Sequence, residues 1–496
     1  MKFKTTALTV FLSTTAPAIV RAADRPITTL VPADALVVYT ALPYPTLAPP
    51  SSQPTDTQPA SSPGFGSITG IISFLSASGM MPDEGQVFAD IATALPLLGQ
   101  FEHALVLEDV SSKVVEAHDG DNPAEASLRL NRLQAAIIFR TEGRHKAVLQ
   151  QLNHVIGRYT NQDVAKLSTE TSQGHPYQRL ADSRLTGWAI WEWGRLDDFF
   201  VLTFGEGAFD RIARTYEGKL PCLANDPWIK SAGRRIGADA AIAQWYIALD
   251  RIKTSLGSVT ENRITKVTAA MQAQNMTQDF WTVGREGRAM TWSRCYRREG
   301  EDVVRRYSDP ARYGEHHRRI IPDQAEHIAI VNVPTKWLVD NLPRAWLAAQ
   351  SEGNVEKWQL IWNRLEEETG TDINGNLISH LGSNVVIFDY PPHPLRIPFA
   401  LTVAIEIDDR RAVAVATGSL LEAWSRYLDE RAEKFKTKLV RLKVKRADDG
   451  IWYLQAGILG PALKVTDHYL VISWSPPALR EALKYIEGPQ MRAAGP

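Results

Sequence analysis

The feature that most restricts the fold is an echo between the first half of the chain and its last third. Residues 91–110, IATALPLLGQFEHALVLEDV, and 375–390, GNLISHLGSNVVIFDY, each set a Leu-Gly pair (Leu98-Gly99, Leu381-Gly382) before a short linker and an apolar run ending in an acid, Asp109 or Asp389. The order is kept beyond that point. AAIIFRTEGRHKAVLQQL follows in one copy and FALTVAIEIDDRRAVAVATGSLL in the other, each an extended run feeding a helical pattern. The closing stretches, 185–218 and 450–488, both give a strand, a polar turn, a second apolar strand and a helix. In the later copy Ser475 is placed to cap that helix, with Pro476 at the first helical position where a missing N–H costs nothing. Self-similarity of this kind decides architecture before any local reading does.

Three places also share an opening: VPADALVVYTALP at 31–43, GADAAIAQWYIAL at 237–249 and IPDQAEHIAIVNVPTKWL at 321–338. Each reads as a turn or acidic start, an apolar strand and then a helix. The middle copy continues into a helical stretch over 249–272 and then two alternating runs with a hairpin turn at Glu286-Gly287. The fold class expected is α+β, with tandem repeated units of antiparallel sheet and packed helices, internally duplicated. A chain of 496 residues has room for about three domains at roughly 150 residues each. The division expected is a first α+β unit at 23–235, a middle strand–helix–hairpin unit at 236–308, a linker at 309–320 and a last α+β unit at 321–496. The segment 43–64 is rich in Pro, Ser and Thr and reads as a flexible loop of the first unit.

Residues 1–22 have the layout of a signal peptide. Lys2 and Lys4 precede an apolar stretch to Val20, and Val20-Arg21-Ala22 offers a small-residue cleavage site. Ser13, Thr14, Thr15 and Pro17 interrupt that stretch, which is shorter than the roughly 20 apolar residues of a span. The expectation is therefore export to the periplasm or the exterior, with no transmembrane span after cleavage. Lys plus Arg is 55 against Asp plus Glu at 56, so the chain lacks the basic excess of a nucleic-acid binder. Cys222 and Cys295 are the only cysteines; they permit one disulfide or two separately buried thiols.

The Pro32-Ala33-Asp34-Ala35 opening, the passage RLEEETGTDINGNLISHLGSNVVIF at 364–388 and the closing strand–strand–helix stretch resemble the exported bacterial family known as domain of unknown function 3352. The resemblance covers most of the chain by pattern, and the Pro/Ser-rich insertion after Leu42 departs from it. It implies an exported, repeated α+β protein and carries no catalytic residues with it.

Motifs that would fix a chemistry are missing from the sequence: there is no Walker phosphate loop, no HExxH and no GxSxG. GFGSITG at 64–70 is out of step with a dinucleotide fingerprint, and no cofactor is expected. DINGN at 372–376 begins like a calcium loop, but Gly375 comes too early and Ser383 stands where the bidentate acid belongs. HDGDNPAE at 118–125, Glu315-His316-His317 and Glu326-His327 lack ligand spacing, so no metal site is expected. Asp197-Asp198 and Asp408-Asp409 read as turn residues.

Aromatic residues are the most suggestive. In GWAIWEWG, Trp191 and Trp193 share one strand face, and Trp452 is expected at the matching place of the second copy. An exposed face there would present rings for stacking on sugar or peptide. The reading is an exported, non-catalytic binding or scaffolding protein of the bacterial cell envelope, whose partner is an envelope component or polymer. The alternatives are an exported hydrolase, whose site would gather two or more of Glu102, Asp197, Glu406 and Asp408, or a carrier of an apolar ligand.

Overall fold

A computed structural model describes residues 25–43, 101–115, 127–146, 148–150, 152–153, 165–183, 186–255, 275–286, 289–308, 315–325, 328–332, 335, 360, 363–390, 401–435, 443–455 and 460–488. The expected signal peptide, nearly all of the Pro/Ser-rich segment, GFGSITG, HDGDNPAE and Glu326-His327 lie outside the described residues.

The chain is a mixed α/β protein built on one 18-stranded sheet in which nearly every pairing is antiparallel. One run uses β1 (Val37–Ala41), β2 (Glu102–Val115), β3 (Ser127–Arg140), β4 (Ala165–Ser172), β5 (His175–Asp182), β6 (Ile190–Leu196) and β7 (Phe199–Phe204). Its neighbour order is β4-β5-β6-β7-β3-β2-β1. Strand β1 also pairs with β8 (Ala241–Ala248), which leads through β9 (Met276–Glu286) and β10 (Ala289–Arg298) to β11 (Glu301–Ser308). The last run uses β12 (Ile328–Asn332), β13 (Leu381–Asp389), β14 (Leu401–Ile407), β15 (Lys443–Arg446), β16 (Trp452–Gln455), β17 (Ala462–Val465) and β18 (Tyr469–Ser473). Its neighbour order is β15-β16-β17-β18-β14-β13-β12. Among the described residues one parallel pair, Ala289 with Ile328, joins it to β10.

Helices α1 (Ala208–Tyr216) and α2 (Pro227–Ile236) cover one face of the first sheet run and of β9 to β11. Helices α3 (Arg410–Phe435) and α4 (Pro476–Ile486) belong to the last run. Strand alternation makes this layering possible: Val38, Ala104, Val106, Ala136, Ile138 and Val201 all point to one side, where Phe209, Ile212 and Ala213 of α1 and Ala232 and Ile236 of α2 complete the core. The equivalent layer of the last run gathers Ile330, Val386, Phe388, Ala404 and Val471 beneath Leu479, Ala482 and Leu483 of α4. Ser475 accepts a hydrogen bond from the Ala478 amide at 3.3 Å with Pro476 just inside the helix, as its sequence position predicts. The openings of the two runs turn alike, with the Ala35 amide donating to Pro32 O at 3.1 Å and the Ala325 amide to Pro322 O at 3.0 Å. The two alternating runs expected around Glu286-Gly287 pair as antiparallel β9 and β10, with Glu286 opposite Ala289; Gly287 lies outside the described residues.

Candidate binding trough and the buried charges around it

The strand of GWAIWEWG, β6, lies between β5 and β7 and sorts its side chains cleanly. Leu196 and Glu192 point to α1, and Gly194 is glycine because a Cβ there would meet the Phe209 ring at 2.8 Å. Trp191 and Trp193 point to the other face, as expected, but their fates differ. Trp193 is 4% exposed in a cluster with Phe101, Phe139, Leu180, Phe200 and Val148, whereas Trp191 is 41% exposed. Val148, Leu149 and Leu152 pack in the Trp193 cluster.

Trp191 stands at the wall of an open trough of about 270 Å³ lined by Ala135, Ile137, Leu202 and Phe204, with Ala136 and Thr203 between them. The Trp191 ring lies 4.8 Å from that of Phe204, tilted by 59°, and Trp188 meets Phe204 edge-on at 5.9 Å. The trough can therefore offer apolar contact and one ring to a ligand, with little hydrogen bonding from side chains. Trp452 is not at the matching place. Its strand, β16, is third from α4 in the chain, since β17 and β18 are the two strands that lead into that helix, and its ring is half-buried with Arg446 5.4 Å from its centroid. The match fails because the stretch 450–488 holds three strands where 185–218 holds two.

On the helix side, β6 buries Glu192. Its carboxylate accepts a hydrogen bond from the Phe209 amide at 3.0 Å and so caps α1 from a distant strand, because Gly207 at the N-cap has no side chain to do so. Arg179 on β5 is shared among Glu192 at 3.8 Å, Glu170 at 3.7 Å and Glu206 at 2.9 Å. Burial pushes the Glu192 carboxyl up, against the opposing pull of the Phe209 and Gly207 amides and Arg179. On β2, Glu108 is fully buried beside Arg211, and burial lifts it to about 8 in spite of that guanidinium. Neither glutamate stood out in the sequence as buried, although alternation sets Glu108 with Ala104 and Val106 and Glu192 on the face opposite Trp191 and Trp193.

A second aromatic group was also missed. Tyr39, Trp245 and Trp281 are register partners across β1, β8 and β9, and Trp281 continues onto Trp292 at 5.5 Å and Tyr307 at 5.4 Å. Arg294 lies between the Trp281 and Tyr296 rings, at 4.4 and 4.5 Å from their centroids. Trp281 and Tyr307 stack face to face at 14°, while the other ring pairs are tilted.

The four carboxylates considered for a hydrolytic site each have a local partner. Glu102 binds Arg140 at 2.6 Å, Asp197 accepts from the Tyr216 hydroxyl, Glu406 accepts from Asn384 at 2.8 Å and Asp408 pairs with His380 at 2.6 Å. None of them lines the trough. Asp197 is a turn residue with φ of 49°, and Asp409 caps α3 through the Ala412 amide at 2.9 Å, in line with the turn reading. Asp372 of DINGN likewise caps a short helical turn, accepting from the Gly375 amide at 2.8 Å.

Cys222 and Cys295 are free thiols, so no bridge joins them. Cys295 is enclosed on β10 beneath α2, where burial pushes its thiol up; Cys222 is partly exposed at the start of a short turn. A thiol reagent is expected to modify Cys222 in the native protein and Cys295 only after unfolding. Equal labelling rates by mass spectrometry would contradict this placement.

No protein-family model and no curated protein matches the chain. Among solved structures, crystal form III of TP0453 is similar over 57% of this chain and 83% of that one, at 9% identity and a TM-score of 0.26. Crystal form IV of the same protein aligns over 57% and 92%, at 10% identity and a TM-score of 0.25. No helix among the described residues is long and apolar enough to cross a membrane.

Proposed function

We propose that this chain is an exported, non-catalytic binding or scaffolding protein of the bacterial cell envelope, periplasmic or extracellular, of the kind its resemblance to domain of unknown function 3352 implies. The observation that carries the binding role is the open trough walled by the exposed Trp191. What sets this indole apart is its place, 41% exposed at the wall of an apolar trough with the Phe204 ring beside it, which supports a contact role. Its lining of Ala135, Ile137, Leu202 and Phe204 also supports the carrier of an apolar ligand as the second reading. We further read the first and last sheet runs as copies of one unit. The parallel neighbour orders, β4-β5-β6-β7-β3-β2-β1 and β15-β16-β17-β18-β14-β13-β12, and the like turns at Pro32 and Pro322 support that reading.

Trp191→Ala and Trp193→Ala separate binding from folding. Trp191→Ala is expected to keep the parent's unfolding free energy in urea to within about 1 kcal/mol while losing retention on immobilised envelope polysaccharide, whereas Trp193→Ala empties a buried site and costs about 3–5 kcal/mol. Retention of Trp191→Ala equal to the parent would remove the trough from the binding role. Uptake of a fluorescent fatty acid in place of polysaccharide, lost in Trp191→Ala, would select the carrier.

A further inference from the structure

Glu108 is the residue by which β2 gains one position on β3. Leu107 pairs with Ala135 and Asp109 with Gln134, which leaves residue 108 in a bulge. Two residues on from Val106, its side chain falls on the same helix-covered face by strand alternation, where it is fully buried and neither carboxyl oxygen takes a hydrogen bond among the described residues. Arg211 of α1 places its Nε 3.2 Å from Oε2, and the same guanidinium donates through Nη2 to Asp34, in the turn that leads into β1. One helical arginine therefore holds two carboxyl groups, one enclosed and one 64% exposed. The charged groups acting on Glu108 are Arg211 from α1, Asp34 from the turn before β1, Asp109 from β2 and Arg132 from β3. Arg251, which follows β8, acts on Asp34 and donates to Ala33 O at 2.6 Å.

We propose that Glu108, Arg211 and Asp34 form a proton-operated latch that fastens α1 to the turn before β1. With Glu108 neutral, the Arg211 charge is committed to Asp34 and the helix is held. When Glu108 releases its proton to solvent, Arg211 must be divided between two carboxylates, the enclosed charge draws in water, and α1 loosens.

The two ionisations are pushed apart around the shared guanidinium. Arg211 holds the Asp34 carboxyl below its ordinary value despite partial burial, while enclosure raises Glu108 to about 8. Because the folded Glu108 value is raised, its contribution to stability is complete below the ordinary carboxylate range and is lost as pH climbs to about 8. The depressed Asp34 value works in the opposite sense, and its contribution is lost only as pH falls through that lowered value. The latch is shut between the two.

Amide hydrogen exchange on the full chain from pH 6 to 9.5, corrected for intrinsic rates, tests this with α4 as an internal reference. Protection of α1 is expected to fall at least tenfold across the alkaline transition while that of α4 holds. In Glu108→Gln the fall should vanish. Asp34→Asn leaves Glu108 as the sole partner of Arg211 and should move the transition to lower pH. Parallel loss of protection in both helices of the parent, an unchanged fall in Glu108→Gln, or an unmoved midpoint in Asp34→Asn would each overturn the proposal.

Discussion

Gly205→Ala is expected to unfold the chain at denaturant concentrations where the parent is native. Gly205 has φ of 109°, and a Cβ there would stand 2.1 Å from Leu133 O and 3.0 Å from the Gln134 Cα. Both obstacles are backbone of the neighbouring strand β3, so no side-chain rotation relieves them. The loop is also held on both sides, by the Gly205 amide on Ile190 O at 2.8 Å and by Gln134 donating to Glu206 O at 2.7 Å. A left-handed residue costs about 1–2 kcal/mol and overpacking adds about 1–3 kcal/mol, so the sum is a large part of a normal domain's stability. Gly207→Ala is the matched control: its φ is 73°, nothing lies within 4 Å, and the expected loss is about 1 kcal/mol. Urea denaturation followed by circular dichroism reads both, and similar midpoints for the two variants would refute the steric account.

Asp279→Ala should have an effect of comparable size for an electrostatic reason. Arg294 is clamped by Asp279 through two bonds of 2.8 Å, with side chains only 19% and 8% exposed. Removing the carboxylate leaves a guanidinium enclosed by Trp281 and Tyr296 without its counter-charge, which costs about 3–5 kcal/mol. Asp449→Ala breaks a 2.9 Å pair with Arg480 whose partners are 49% and 41% exposed, and should cost under about 1 kcal/mol. The double variant Asp279→Leu with Arg294→Met should recover most of the loss, because the charge that needed a partner is gone. A double variant no more stable than Asp279→Ala would show that the pair contributes more than mutual neutralisation.

What was legible in the sequence is what adjacent residues decide. The cap at Ser475, the turn at Asp197-Asp198 and the paired openings at Pro32 and Pro322 all depend on bonds that span a few residues, and each is present. Sheet order was not legible. Strand β7 pairs with β3 across a long intervening stretch, and nothing in either strand names the other. The bulge between Leu107 and Asp109 is likewise a property of two strands together, since a one-residue slip reverses every later side chain. The difference between Trp191 and Trp193 has the same origin: alternation puts both on one face, but which part of that face a helix covers is decided elsewhere in the chain.

Among the described residues, the one pair Ala289 with Ile328 gives the sheet an uneven mechanical character. Most neighbouring strands on either side of it are riveted by ladders of several pairs, as β1 is to β2 from Val37 to Ala41 and β12 to β13 from Ile328 to Asn332. Met290 and Ile242, with Ala329 packed against them, add only a small apolar cushion at the join. Among the described residues the two plates are joined by one stitch between long ladders, so load carried across the sheet meets its fewest backbone pairs there. Between the outer strands β4 and β15, the described ladders make this stitch the rung at which a stretched sheet is expected to part first.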